Sequence, residues 1–180
     1  IGSYASDLLG TWVMNKMVTT KENFISAWAC TEKDAEGWPV LNADDTFTFS
    51  GDGAAEGYKL TTSLKSELKN YFNETSDFSI DKEYTLRVGM GEKRTTQLLK
   101  LNNVNRYFSA TKQSEDKVAY VAVRNITDEA GETLLDVYVV DYNSKSFAYP
   151  LFEDYGMYDT AKPTAWMDGM FINFTLKKKQ

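Results

Sequence analysis

"KVAYVAVRNITDEAGETLLDVYVVDY", Lys117–Tyr142, sets two runs of alternating β-branched, aliphatic and aromatic residues on either side of a short polar stretch. Such residues cover a pleated surface well, and a period of two separates the two faces of a strand. Between "KVAYVAVRN" and "TLLDVYVVDY", Gly131 within "ITDEAGE" marks a hairpin turn. The stretch predicts two antiparallel strands. So short a link has no room for a crossover helix, which excludes a βαβ unit here.

The same pattern extends in both directions. "KEYTLRVGM" puts Tyr84, Leu86 and Val88 on one face before a glycine-containing turn, and "TTQLLKLNNVNRYFSATK" holds two short strand candidates parted around Asn102 and Asn103. "DDTFTFSGDG" aligns Phe47 and Phe49 opposite Thr46, Thr48 and Ser50, then turns through Gly51–Gly53. "TWVMNKMV" reads as the first strand, with Trp12, Met14, Lys16 and Val18 on one face; "MFINFTL" is the last, with Phe171, Asn173 and Thr175 opposite Ile172, Phe174 and Leu176.

Two segments depart from this period. "SYASDLLGTW" opens with Ser and Asp, which cap a short N-terminal helix that Gly10 ends. In "LTTSLKSELKNYF", Leu60, Leu64, Leu68, Tyr71 and Phe72 recur at helical spacing, predicting one surface helix near residues 62–72. The fold class expected is therefore all-β, an antiparallel meander of about eight to ten strands with these two helices. Nothing divides residues 1–180 into more than one domain.

Composition narrows the functional classes. Lys and Arg total 20 against 26 Asp and Glu, a net charge of -6, which disfavours nucleic acid and anionic membranes as partners. "KKK", Lys177–Lys179, is the basic cluster and reads as a solvated end. The chain has no histidine, which removes His-based triads, HExxH zinc sites and imidazole pH switches together. Cys30 is the single cysteine and forms no intrachain disulfide. No apolar run approaches the length of about 18 residues that a spanning helix needs. The acidic pairs Asp44–Asp45, Asp128–Glu129 and Glu153–Asp154 lack the alternating oxygen donors of a calcium loop, so no metal or cofactor is expected. Asn73, Asn125 and Asn173 each begin an N-x-S/T sequon, a match that chance alone supplies at this composition.

A meander of this size either closes into a barrel or stacks as two sheets. Closure is favoured by the sequential strand order, which removes exposed edges, and by Trp12, a ring large enough to plug one end beside Gly10.

"GTW", Gly10–Trp12, resembles the glycine-any-tryptophan signature on the first strand of lipocalins, and "VVDYNSKSFAY", Val139–Tyr149, resembles their later aspartate-tyrosine turn. The resemblance is to a divergent lipocalin-like (calycin) domain. It implies an up-and-down β-barrel with Trp12 in its floor, Asp141 and Tyr142 in a turn at the same closed end, and a binding cavity toward the other. The family also packs a basic residue after the last core strands onto the tryptophan; Lys177 and Arg124 are the positions weighed for it, and neither matches. Similar domains occur as bacterial exported proteins, often lipoproteins. This implies an extracytoplasmic, periplasmic or cell-surface location with a removed signal, with which a start at Ile1 is consistent.

The function expected is noncatalytic binding of a small hydrophobic or amphipathic molecule. Tyr84, Leu86, Val88, Tyr120, Tyr138 and Val140 are candidate cavity-lining residues, and Arg106 or Arg124, if turned inward, would pair with an anionic group. The alternative is a β-rich structural or protein-interaction module of an exported protein, with the same aromatics as core. A carboxylate-based hydrolase ranks third, since it needs two convergent acids that adjacency in sequence does not establish.

Overall fold

A computed structural model describes residues 7–22, 31–33, 38, 40–52, 57–70, 72–88, 92–102, 119–140 and 171–179, with backbone alone at 52, 67, 70, 81–88, 92–96, 119–120, 140 and 171. Eight strands follow one another: β1 Gly10–Met17, β2 Thr46–Asp52, β3 Gly57–Ser63, β4 Thr75–Val88, β5 Glu92–Leu101, β6 Ala119–Thr127, β7 Thr133–Val140 and β8 Phe171–Lys178. Each pairs antiparallel with the next, and β8 returns to pair with β1, so the sheet closes into an up-and-down barrel. Closure leaves no terminal edge strand. The architecture fits a calycin-like fold.

Alternation decides which residues line the interior. On β2, Phe47 and Phe49 are buried; on β3, Tyr58, Leu60 and Thr62 are buried while Lys59, Thr61 and Ser63 are exposed. The register carries this face around the barrel through the pairs Phe49↔Leu60, Tyr58↔Phe78, Phe78↔Leu101, Leu99↔Val121, Val121↔Val139 and Val139↔Ile172. These side chains form one hydrophobic cluster that includes Trp12 and Met14 of β1. On β1 the inward face switches after Met14, because a bulge between Met14 and Lys16 inserts one extra residue. Lys16 is consequently exposed rather than sharing the face of Trp12, and Met17 packs against the cluster instead.

The helix expected over residues 62–72 is replaced by other structure. β3 continues through Ser63, and Glu67–Asn70 forms a single 3₁₀ turn. Tyr58, Leu60 and Thr62 also alternate, and pairing with β2 through Phe47↔Thr62 satisfies backbone groups that a local helix would have used. Of the N-terminal helix, Asp7 and Leu8 are helical; its earlier residues lie outside the described ones. The second strand candidate in "TTQLLKLNNVNRYFSATK" also lies outside them, and the first is β5.

The connections alternate in length. Residues 53–56, 89–91 and 128–132 are short links at the end where β1 begins, whereas residues 18–45, 64–74, 102–118 and 141–170 are the longer links at the opposite end. These are called the narrow and wide ends below.

β5 to β8 add a second buried face. Residues 121–124, 134–139 and 172–176 are buried without alternation. Leu98, Ala122, Leu134 and Tyr138 stand apart from the interior cluster; Leu98, Ala122 and Tyr138 share one register row with Asn173, and Arg124, Asp136 and Thr175 form the next row on that face.

Candidate functional site

Trp12 floors the narrow end. It is 2% exposed, and its indole Nε1 donates to Leu8 O at 2.9 Å, so the ring is fixed by the turn that precedes its own strand. The Lys178 ammonium lies 4.6 Å from the ring centroid and donates to Leu9 O at 2.6 Å. A cation above an indole face is attracted by the ring quadrupole. This supplies the basic residue on tryptophan that Lys177 and Arg124 did not, and the register Trp12↔Lys178 explains why Lys178 of the three lysines reaches it. Gly10 suits this position because its φ of +123° is a conformation that L side chains rarely adopt; a Cβ there would also oblige the flexible Lys178 ammonium to shift.

The narrow-end turn between β6 and β7 is built by Asp128. Its carboxylate oxygen Oδ1 accepts from Ala130 N at 3.0 Å and Glu132 N at 2.8 Å, and Gly131 takes φ +82°. Asp128 therefore holds one corner of the narrow end; the resemblance placed Asp141 and Tyr142 in a turn at that end. Those two residues lie outside the described ones, but β7 runs away from Trp12, from Leu134 beside Lys177 to Val140 beside Phe171. The strand leading to Asp141 thus ends at the wide end. Beside Trp12 a depression of about 470 Å³ opens to the surface, lined by Asp7, Trp12, Asn125, Thr133 and Lys178.

The interior holds two kinds of wall. β1 to β4 contribute rings: Tyr58 stacks on Phe78 at 5.2 Å, Phe49 meets Phe78 edge-on at 5.9 Å, and Phe47 lies 5.7 Å from Phe174 of β8. β5 to β7 contribute aliphatic side chains, with Gln97 the buried amide in the row of Val123 and Val137.

The outer face of β6 to β8 contains a buried polar cluster. Arg124 Nε donates to Asp136 Oδ2 at 3.1 Å, with both side chains almost fully enclosed. Asn173 Nδ2 donates to Asp136 Oδ1 at 2.7 Å and to Val137 O at 2.9 Å, while Asn173 N donates to Thr19 Oγ1 at 2.8 Å. The Arg124 guanidinium lies 5.9 Å from the Tyr138 ring centroid. Burial raises the Asp136 carboxyl above its usual range, opposed by Arg124 and by Asn173. Burial, together with the neighbouring Asp136, raises the Tyr138 phenol as well. Arg124, one of the two candidate anion-binding arginines, is thus oriented away from the interior and engaged with Asp136.

The remaining candidates separate. Tyr138 belongs to this outer cluster and does not face the interior. Tyr84, Leu86 and Val88 pair with Thr96, Arg94 and Glu92 in the β4–β5 ladder, Tyr120 pairs with Lys100, and Val140 pairs with Phe171. Arg106 lies outside the described residues. The structure therefore gathers Gly10 and Trp12 at one end and places Tyr138 in a different environment. Lys178, Asp128 and Gln97 carried no signal separating them from solvated residues until strand register fixed their neighbours.

Comparison with protein-family models, with curated proteins and with solved structures finds no match.

Proposed function

We propose that the chain is a noncatalytic, lipocalin-like binding protein that holds a small hydrophobic or amphipathic molecule within its barrel. The observation that carries this reading is the asymmetry of the closed barrel: Trp12 and Lys178 close the narrow end, and all the longer connections leave from the other. A barrel of eight strands is just wide enough to be filled by side chains or to enclose one small ligand. The apolar lining favours hydrocarbon or aromatic cargo, which gains roughly 25 cal/mol per Å² buried. The exported, lipoprotein-type setting of similar domains belongs to the same proposal.

Titration with a neutral hydrophobic fluorophore, followed by displacement with candidate amphipathic molecules, tests it. Saturable 1:1 binding is the expected result. Its absence, together with a crystal structure showing a filled interior, would overturn the reading. The second reading, a structural or protein-interaction module, is favoured by the ring-on-ring packing of Tyr58, Phe78 and Phe49, which is what a filled core contains.

A further inference from the structure

Residues 64–70 and Phe72 cover the interior cluster at the wide end without joining the sheet. Leu68 is fully buried and Phe72 is 6% exposed, both within the interior cluster, and Leu64 packs against it. The Phe72 ring stands edge-on to Phe47 at 5.2 Å and to Phe174 at 6.5 Å. It sits between rings contributed by β2 and β8, where the apolar end of a ligand entering from this side would come to rest. Phe72 N donates to Leu68 O at 3.2 Å, which joins the two residues in one short turn.

This segment is anchored at its two ends by different means. At its far end, Thr62 N donates to Glu74 O at 2.8 Å and Thr62 Oγ1 to Asn73 O at 2.9 Å, which ties it to β3. At its near end the hydrogen bonds converge on one buried carboxylate, beside the exposed Lys65–Asp44 ion pair at 3.4 Å. Asp45, fully buried, accepts from Lys65 N at 2.6 Å, from Ser66 N at 3.3 Å and from the Ser66 hydroxyl. Ser66 Oγ in turn accepts from Leu68 N at 3.3 Å, linking the carboxylate to the plug itself. Hydrogen bonds to an ionised acceptor are stronger than neutral ones, and here they converge on one side chain. Loss of that acceptor releases the buried side of the turn at Ser66 and Leu68, leaving it held by the chain at Ser63, by the exposed Lys65–Asp44 pair and by the Thr62 bonds to Asn73 and Glu74.

Building on the binding reading, we propose that residues 64–72 form a displaceable plug, with Phe72 as an internal occupant of the apolar mouth and Asp45 as its latch. The ligand class this implies is a molecule with an aromatic or aliphatic end that replaces the Phe72 ring against Phe47 and Phe174. Binding then requires a prior opening step, so association is limited by release of the plug.

Stopped-flow mixing with N-phenyl-1-naphthylamine, a neutral hydrophobic fluorophore, tests the proposal on the whole chain. In the wild type the observed rate should level off as probe concentration rises, because opening becomes limiting. Ser66→Ala, which removes part of the latch, and Asp45→Asn should raise that plateau, the latter by about tenfold, with a smaller change in final fluorescence amplitude. In a Cys30→Ser background, Asp45→Cys with Ser66→Cys permits a cross-link at the latch; oxidation should slow association at least about tenfold and reduction should restore it. Equal association rates in the oxidised and reduced forms, with saturable binding retained, would overturn the plug and leave the binding reading standing. A wild type with no saturable binding would overturn both. If Asp45→Asn fails to fold, Ser66→Ala and the cross-link decide the matter.

Discussion

β3 and β7 alternate in the same way but face different surroundings. In β3, Tyr58, Leu60 and Thr62 enter the core while Lys59, Thr61 and Ser63 meet solvent. In β7, every residue from Leu134 to Val139 is buried, including Asp136 and Tyr138. Polarity therefore identifies the outer face of β3 and misleads on β7. What identifies the polar residues of β7 is their partners, because a buried charge persists only when it is paired and hydrogen-bonded. Arg124 and Asn173, brought alongside by β6 and β8, are those partners.

The comparison breaks most sharply at Asp136. Asp136→Ala removes the buried carboxylate to which Arg124 Nε and Asn173 donate and should cost about 3–5 kcal/mol in urea unfolding, whereas Arg124→Met with Asp136→Leu should restore most of that loss. A cost under about 1 kcal/mol for the single change would mean that the outer face of β7 is as wet as that of β3. One step smaller, Leu60→Ala should cost about 2–5 kcal/mol and Lys59→Ala less than about 0.5 kcal/mol. Val137→Ala and Tyr138→Ala, neighbours on opposite faces of β7, should both be costly.

Tyr138 sharpens the contrast through pH. Its folded-state pKa is raised, so above about pH 10 the unfolded chain loses this proton while the folded one keeps it. The stability it contributes is fully present below that pH and is lost as pH rises, at up to about 1.4 kcal/mol per pH unit. Tyr138→Phe should flatten this alkaline decline, measured as urea midpoints between pH 9 and about 11. A modest effect belongs to the narrow end: Lys178→Met should cost about 0.5–1 kcal/mol and shift the Trp12 fluorescence.

Strands were legible wherever alternation coincided with solvent. Phe47 and Phe49, the turn at Gly131 and the seat of Trp12 beside Gly10 all follow from residue type and spacing. Residues 62–72 were not, because Leu60, Leu64, Leu68 and Phe72 satisfy a helical period while Tyr58, Leu60 and Thr62 satisfy a strand period, and only pairing with β2 decides between them. Asp141 and Tyr142, which the resemblance placed in a turn at the end of Trp12, lie outside the described residues. In an up-and-down barrel successive strands alternate in direction, so β6 ends and β7 begins at the end of Trp12. Lys178 was hidden among three consecutive lysines until register with Trp12 distinguished it. The outer cluster of Arg124, Asp136 and Asn173 had the appearance of solvated residues because no local signal announces that a second face is buried.

The ladder between β1 and β8 has a consequence for how the molecule is made. Asn15 and Thr175, joined side chain to side chain across that seam, are separated by 160 positions in the chain. During synthesis β1 emerges first and then waits, with one side of its backbone unmatched, until nearly everything between has left the ribosome. Contacts of such long range form late and slowly. In that interval an unclosed meander offers a free strand edge to its neighbours, so the vulnerable species in expression is the nascent chain lacking its final strand.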